Sequence, residues 1–274
     1  MLQTTSEVGI PDEFEVFRRG AYRITGLDLS SYKAPQMHRR LNVLLTRLKI
    51  AGFAEYTRLL ENDAQRRQEF RDYVTINVSE FFRDSDRFGA FERDVLPGLL
   101  ANLATLRVWS AGCSIGAEPY SVAILLRELG PGRAHRILAT DVDQTILDRA
   151  TAGTGYLAAD MRNVGAERIR RWFVAEPNGR YSVGPVPRGM VRFLKHDLLR
   201  DAHPPGPFDL IACRNVVIYF TEAAKERIFQ GLVNALRPGG VLFVGGTEAI
   251  LRPLSLGLSV TSPGFYRKHV EAGG

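Results

Sequence analysis

The sequence predicts an α/β protein: a mostly parallel sheet, covered by helices on both faces, behind a small helical module. Three observations predict it. Short apolar runs ending in small or polar residues alternate with helical patterns from Leu106 to His269. Glycine-rich turns join them, above all Gly112 to Gly116 and Pro238-Gly239-Gly240. Ahead of them, Pro11 to Tyr73 carries helical periodicity and few β-branched residues. Strands alternating with helices specify parallel pairing, because each parallel connection needs a crossover.

In the N-terminal module, Phe14, Phe17, Arg18 and Ala21 mark a first short helix. Met37, Leu41, Leu44, Leu45 and Leu48 form one apolar stripe of a second, which Gly52 ends. Phe53 to Leu60 and Ala64 to Val74 read as two more. Thr75 to Phe82, T-I-N-V-S-E-F-F, breaks the pattern. If extended, it places Asn77 and Ser79 on one face; alternatively Ser79 caps a helix containing Phe82. Phe88 to Leu103 is helical, with Pro97-Gly98 as its weak point.

Leu106 to Tyr120, L-R-V-W-S-A-G-C-S-I-G-A-E-P-Y, reads as strand, tight glycine turn and helix. Such a turn brings backbone N–H groups close to a ligand at the carboxyl end of a strand. Arg136 to Thr140 is the second strand, ending in Asp141, and Asp143 caps the helix that follows. Gly179 to Val183 and Met190 to Leu194 read as a small hairpin, although Val191 and Phe193, leading to Asp197-Leu198, equally suit the main sheet. Phe208 to Ala212 is a strand ending at C-R-N, with Val216 to Phe220 continuing it. Thr221 caps a helix from Ala223 to Leu236, and Leu254 to Val260 and Gly264 to His269 supply closing strands. The expected organisation is a helical domain over 1–74, a linker over 75–85 contributing to the ligand site, and an α/β domain over 86–274 with a short β insertion at about 179–194.

Composition narrows the class. Hydrophobic content of 45% and charged content of 24% suit a globular chain of 274 residues. No apolar run approaches the length of a membrane span, and Met1 to Pro11 lacks the pattern of a secretory signal. Cys113 and Cys213 make no disulfide framework, so two free thiols at neighbouring strand ends in a reducing cytoplasm are expected. No Cys/His cluster has metal-ligand spacing, so no metal is expected. The net charge of +6 is uneven. Residues 29–54 hold Lys33, Arg39, Arg40, Arg47 and Lys49 and no acid, and residues 161–195 hold eight Lys/Arg against Glu167 and Glu176. An acidic partner fits this distribution. Aromatics do not interleave the first basic run, which disfavours single-stranded nucleic acid.

The strand-end residues Gly112, Gly116, Glu118, Asp141, Asp197, Arg214 and Asn215 converge on one crevice in a doubly wound sheet. An acid at the tip of the second strand is placed to hold ribose hydroxyls. Neither a phosphate-binding lysine motif nor G-x-G-x-x-G is present. A ligand with ribose and adenine but no phosphate fits best, which points to S-adenosylmethionine.

Four motifs in order carry a resemblance. They are N-x-S-x-F-F-R-D (Asn77 to Asp84), G-C-S-x-G-x-E-P-Y-S (Gly112 to Ser121), D-x-D (Asp141 to Asp143) and F-D-x-I-x-C-R-N-V-x-I-Y-F (Phe208 to Phe220). Together they resemble the bacterial chemotaxis receptor methyltransferases, the CheR family, over about residues 10–270. The resemblance implies a Rossmann-like S-adenosylmethionine-dependent sheet behind the helical domain. It implies methyl transfer to glutamate side chains of chemoreceptor cytoplasmic helices, with S-adenosylhomocysteine as the other product, by a cytoplasmic monomer without nucleic-acid partner or membrane insertion. It places Asn77, Ser79, Arg83, Glu118, Asp141, Asp197, Leu198, Arg214 and Asn215 around the cofactor, and Arg83 and Tyr219 nearest the chemistry. Arg39, Arg40 and Arg47, on a helix without acids, become the expected docking face for an acidic receptor helix. The family usually has Thr at Ser79, Asn at Asp197 and often an acid at Ala117; the second puts a side-chain amide contact to adenine in question. A methyltransferase of the same architecture acting on nucleic acid or a small molecule, and a non-catalytic cofactor-binding module, are the alternatives.

Overall fold

The computed structural model describes residues 12–75 and 79–270. These fall into two compact units, the first made of the N-terminal helices together with Tyr219–Ala224, the second of the remaining residues.

The first unit contains α1 (Asp12–Thr25), α2 (Ala34–Leu48), α3 (Phe53–Asn62) and α4 (Ala64–Thr75). Its core is aromatic. Phe14, Phe17, Phe53, Tyr56 and Phe70 are all buried, with neighbouring ring centroids 4.9 to 6.2 Å apart. Each such ring contributes about 1.5–3 kcal/mol by leaving water. The stripe on α2 behaves as its periodicity requires: Met37, Leu41, Leu44 and Leu45 are buried. Gly52 stands at the N-cap of α3, and the Glu13 carboxylate accepts from the N–H of Phe53 at 3.0 Å, supplying the cap that glycine cannot.

The second unit opens with α5 (Ser85–Ala90), a π-helical segment (Phe91–Val95) and α6 (Leu96–Asn102). The single helix expected from Phe88 to Leu103 is therefore interrupted. Pro97 has no N–H to give the preceding turn, and the ladder widens so that Leu96 donates to the carbonyl of Phe91. Next come β1 (Arg107–Ala111), α7 (Ala117–Leu129), β2 (Arg136–Asp141), α8 (Gln144–Ala152) and α9 (Ala166–Trp172). A two-stranded hairpin, β3 (Phe173–Ala175) with β4 (Tyr181–Val183), precedes α10 (Pro185–Gly189) and β5 (Val191–Lys195). The chain ends with β6 (Phe208–Cys213), α11 (Glu222–Ala235), β7 (Leu236–Val244), β8 (Leu258–Ser262) and β9 (Phe265–Lys268).

The main sheet has seven strands in the order β5-β2-β1-β6-β7-β9-β8. Pairs from β5 to β7 are parallel, and β9 is antiparallel to both β7 and β8. Strand order reverses between β1 and β6, so a crevice opens at their carboxyl ends. Two sequence expectations change here. The hairpin over about 179–194 is instead built from 173–175 and 181–183. The run Met190 to Leu194 joins the main sheet: Pro185 and Pro187 start α10, and Val191 and Phe193 then pair with Ile137 and Ala139 of β2. Val216 to Phe220 does not extend β6 but contains a 3-10 turn, Val217–Tyr219.

β6 is buried along its whole length, Asp209 included. The Asp209 carboxylate accepts from the N–H of Arg107 at 2.7 Å and pairs with Arg237 at 2.5 Å. A buried charge so matched fixes strand register rather than opposing the fold.

Candidate active site

The loop after β1 is shaped by the strand beside it. The N–H groups of Gly112 and Cys113 donate to the Thr140 carbonyl at 2.8 and 2.9 Å. The N–H of Ser114 donates to one oxygen of Asp141 at 2.8 Å, and the N–H of Asp143 to the other at 3.1 Å. Gly112 has φ +78°, and a Cβ there would lie 2.5 Å from Cγ2 of Val216, so only glycine admits this approach. Asp141 thus holds its own turn and the glycine loop together. Burial pushes its carboxyl above the ordinary aspartate range, against the pull of the Ser114 and Asp143 N–H donors. Asp143 caps α8, accepting from the N–H groups of Thr145 and Ile146.

Glu118, in the first turn of α7, accepts from the Ser110 hydroxyl at 2.8 Å and faces Arg214 at 3.4 Å. Burial raises its carboxyl, offset by the Arg214 guanidinium. Arg214 is buried to 1% side-chain exposure. Its guanidinium donates to the Arg83 carbonyl at 2.7 Å and to Asp84 at 2.9 Å, and sits over the rings of Phe88 and Phe243. One cation therefore joins the end of β6, the start of α7 and the Phe81–Asp84 segment.

Ser79 does not cap a helix containing Phe82. Phe81 and Phe82 lie in a turn, with Phe82 at φ 52° and both rings buried. The Phe82 N–H donates to the Ser121 hydroxyl at 3.0 Å, which anchors the segment on α7. Ser79 and Arg83 line a cleft of 420 Å³ with Ile115 of the glycine loop, Arg149 and Arg162. Arg162 pairs there with Glu80, and Arg149 lies 4.0 Å from Asp160. Asn77 lies outside the described residues.

Asp197 follows β5 closely: the N–H of His196 donates to the Asp141 carbonyl at 2.9 Å, so the two strand ends adjoin. Its side chain is engaged locally, accepting from the Leu199 N–H at 2.9 Å. Its own N–H donates to Asp201 at 2.8 Å. Leu198 lines a separate pocket of 460 Å³ with His203 and Arg227, not the cleft of Ser79 and Arg83. An Asn amide oxygen would accept the Leu199 bond as well as Asp does, so the family departure at 197 leaves this turn intact.

The sequence reading missed Glu248. It is buried, and its carboxylate accepts from four backbone N–H groups: Asn215 at 2.5 Å, Val216 at 2.7 Å, Val217 at 2.8 Å and Gly245 at 2.9 Å. The available signal was an acid four residues past the apolar run V-L-F-V, in the position where other strands of this sheet end in site residues.

In the first unit, Arg39 and Arg47 are exposed and Arg40 is half-buried. The Arg40 guanidinium donates to the Tyr73 carbonyl at 2.5 Å and lies over the rings of Tyr73 and Tyr219. Arg47 also lies over the Tyr73 ring, 5.5 Å from its centroid. Arg40 thus has a packing role that helical spacing alone did not reveal.

Cys113 and Cys213 are free thiols at the ends of the neighbouring strands β1 and β6. Both are buried, and burial holds each thiol well above its ordinary pKa, with Asp141 and Glu118 adding to the effect at Cys113. Neutral, enclosed thiols react slowly whatever binds nearby. Protection from alkylation by bound cofactor is accordingly not expected to be visible.

The donor set can be compared with S-adenosylmethionine. Two carboxylates, Asp141 at the end of β2 and Glu118 in the first turn of α7, stand on either side of the glycine loop. That set suits an ammonium group and a ribose diol, so the residues fit this cofactor.

Comparison with known proteins bears on the whole chain. Residues 77–257 match the family described as CheR methyltransferase, SAM binding domain, and residues 12–75 match CheR methyltransferase, all-alpha domain. The chain is 43% identical over 263 residues to the chemotaxis protein methyltransferase of Listeria innocua, covering 94% of this chain and 99% of the relative. Against chemotaxis protein methyltransferase 1 of Pseudomonas aeruginosa identity is 36%, covering 87% and 90%. Against the chemotaxis protein methyltransferase of Escherichia coli it is 33%, covering 90% and 88%.

Proposed function

The chain belongs to the CheR family of S-adenosylmethionine-dependent chemotaxis methyltransferases, and from that premise we propose that it esterifies glutamate side chains of chemoreceptor cytoplasmic helices. The observation that carries the glutamate reading is Arg83 in the cleft beside the glycine loop, where Arg149 and Arg162 stand against Asp160 and Glu80. A guanidinium group there suits a carboxylate acceptor. Glu118 and Asp141 would hold the cofactor, with Ser79, Asn215 and Asp197 around it. Bound S-adenosylmethionine supplies a methyl group on a sulfonium leaving group.

The protein's own task is then positional. A glutamate is already ionised at neutral pH, so no general base is required. With the cofactor bound, the acceptor oxygen would take the methyl through its own lone pair, the sulfonium would keep the S–C electron pair, and no residue of the chain would need to move a proton. Arg83 orients the carboxylate through its fork of donors. Alignment and desolvation of that oxygen supply the rate enhancement.

The test is methyl transfer from labelled S-adenosylmethionine to a purified receptor cytoplasmic fragment, followed by mild base. Glutamyl esters release labelled methanol. Label that survives base, or no incorporation, overturns the reading.

Docking of the acidic receptor helix is assigned to the exposed face of α2, through Arg39 and Arg47, with Arg40 holding that face to Tyr73. Exposed charges contribute only about 0.2–1 kcal/mol each, so a single change should do little. Arg39→Glu with Arg47→Glu, leaving Arg40 in place, should slow receptor methylation most strongly at low ionic strength, where the reversed field is least screened. Cofactor affinity by calorimetry should stay at the wild-type value. Normal receptor methylation by the double variant at low salt would move docking to the basic 161–195 segment.

A further inference from the structure

We propose that Glu248 is a positioning residue for methyl transfer, acting through the turn Arg214–Val217 that it holds. Three observations carry this. First, one carboxylate accepts all three successive N–H groups from Asn215 to Val217 and a fourth from Gly245. Those donors come from the ends of two adjacent parallel strands, β6 and β7, and the carboxylate clamps the two ends together. Second, the fit leaves no slack. A Cβ on Gly245 would lie 2.3 Å from the Glu248 carboxylate and 3.0 Å from the Asn215 nitrogen. Asn215 itself sits in the left-handed region, φ 59°, which a non-glycine residue keeps only when its surroundings impose it. Third, the clamped turn reaches the Arg83 segment, Glu118 and the glycine loop. Arg214 extends to the Arg83 carbonyl, Asp84 and Glu118. Val216 fills the space beside Gly112 that a side chain there would need, and so buttresses the glycine loop.

A carboxylate is the side chain this arrangement demands. Four N–H groups converging on two oxygens need four acceptor positions and no donor. Burial pushes the Glu248 carboxyl upward, and the backbone N–H groups pull it back. An amide in its place offers one accepting oxygen and turns an N–H₂ group toward two donors. The turn must then shift to relieve them, carrying Asn215 and Arg214 with it.

The test compares wild type with Glu248→Gln at a temperature where circular dichroism shows both fully folded. Turnover on receptor fragment should fall about 10²-fold, the scale of a displacement near 1 Å at a reacting centre. S-adenosylhomocysteine affinity by calorimetry should weaken about tenfold, the loss of one charge-assisted bond. Gly245→Ala keeps the carboxylate but displaces it, and should give the same kinetic pattern, so the idea remains testable should Glu248→Gln not fold. A purely structural role would lower the unfolding midpoint of both variants and leave turnover and affinity of the folded protein at wild-type values; that result overturns the proposal. The turnover measurement rests on the glutamate-methylation reading. The affinity measurement does not, so the two can fail separately.

Discussion

Arg214→Ala is expected to lower folding stability by about 3–5 kcal/mol, the effect of leaving a buried charge without its partner. The stranded group is Glu118, whose side chain is only 12% exposed and whose carboxyl burial already raises. Asp84, at 38% exposure, keeps its water and contributes little. The deficit should depend on pH in a definite direction. The folded-state pKa of Glu118 lies above its unfolded value of about 4.3, and further above it once the guanidinium is gone. The folded protein then takes up that proton first, so acidification through the folded value favours folding. Urea unfolding at pH 7 and pH 5.5 measures this: the gap between variant and wild type should narrow at the lower pH. An equal gap at both values would mean that the lost packing over Phe88 and Phe243, rather than charge, accounts for the effect.

Asp141→Ala should weaken S-adenosylmethionine binding by about 2–4 kcal/mol, because a diol loses an ionised acceptor. The structure adds a second route to the same loss. The variant also frees the N–H groups of Ser114 and Asp143, so the glycine loop loses one of its ties to β2. Asp141→Asn separates the two, since its amide oxygen can still accept one of these bonds. In the wild type, affinity should decline as pH falls through the raised Asp141 value, earlier than an ordinary aspartate near 3.9 would allow. Calorimetry showing wild-type affinity for Asp141→Ala would remove this residue from the cofactor site.

Much of this was legible because it is periodic or punctuated. The α2 stripe, the strand–glycine–helix passage at Leu106 to Tyr120 and the Asp143 cap each rest on spacing that local physics enforces. Asp141 at the end of β2 and Glu118 just past the glycine turn were legible for the same reason: parallel strands bring their carboxyl ends to one edge. What escaped was set by pairing. Met190 to Leu194 has the alternation of a hairpin strand and of a sheet-edge strand alike, and only the free edge of β2 decides between them. Glu248 escaped because three of the four N–H groups that give it meaning lie 31 to 33 residues away in sequence. Arg40 looked like its neighbours Arg39 and Arg47 until Tyr73 and Tyr219 came to lie against it.

The membership of Tyr219–Ala224 in the helical unit has a consequence for synthesis. The unit's first helices leave the ribosome early, yet the unit is closed by a segment made about 150 residues later. Tyr32 bridges Phe220, the Lys33 N–H donates to the Tyr219 carbonyl at 3.0 Å, and the Thr221 N–H donates to the Ser31 carbonyl at 2.8 Å. Until that segment emerges, the turn before α2 lacks its strand-like partner, and the ring of Tyr32 lacks the ring of Phe220 at 4.8 Å. Vectorial folding of an N-terminal domain as a finished piece is therefore unavailable to this chain. A nascent fragment ending before residue 219 can bury the α2 stripe but lacks the partners of Ser31, Tyr32 and Lys33, and its protease sensitivity should concentrate at residues 29–33 until translation passes residue 224.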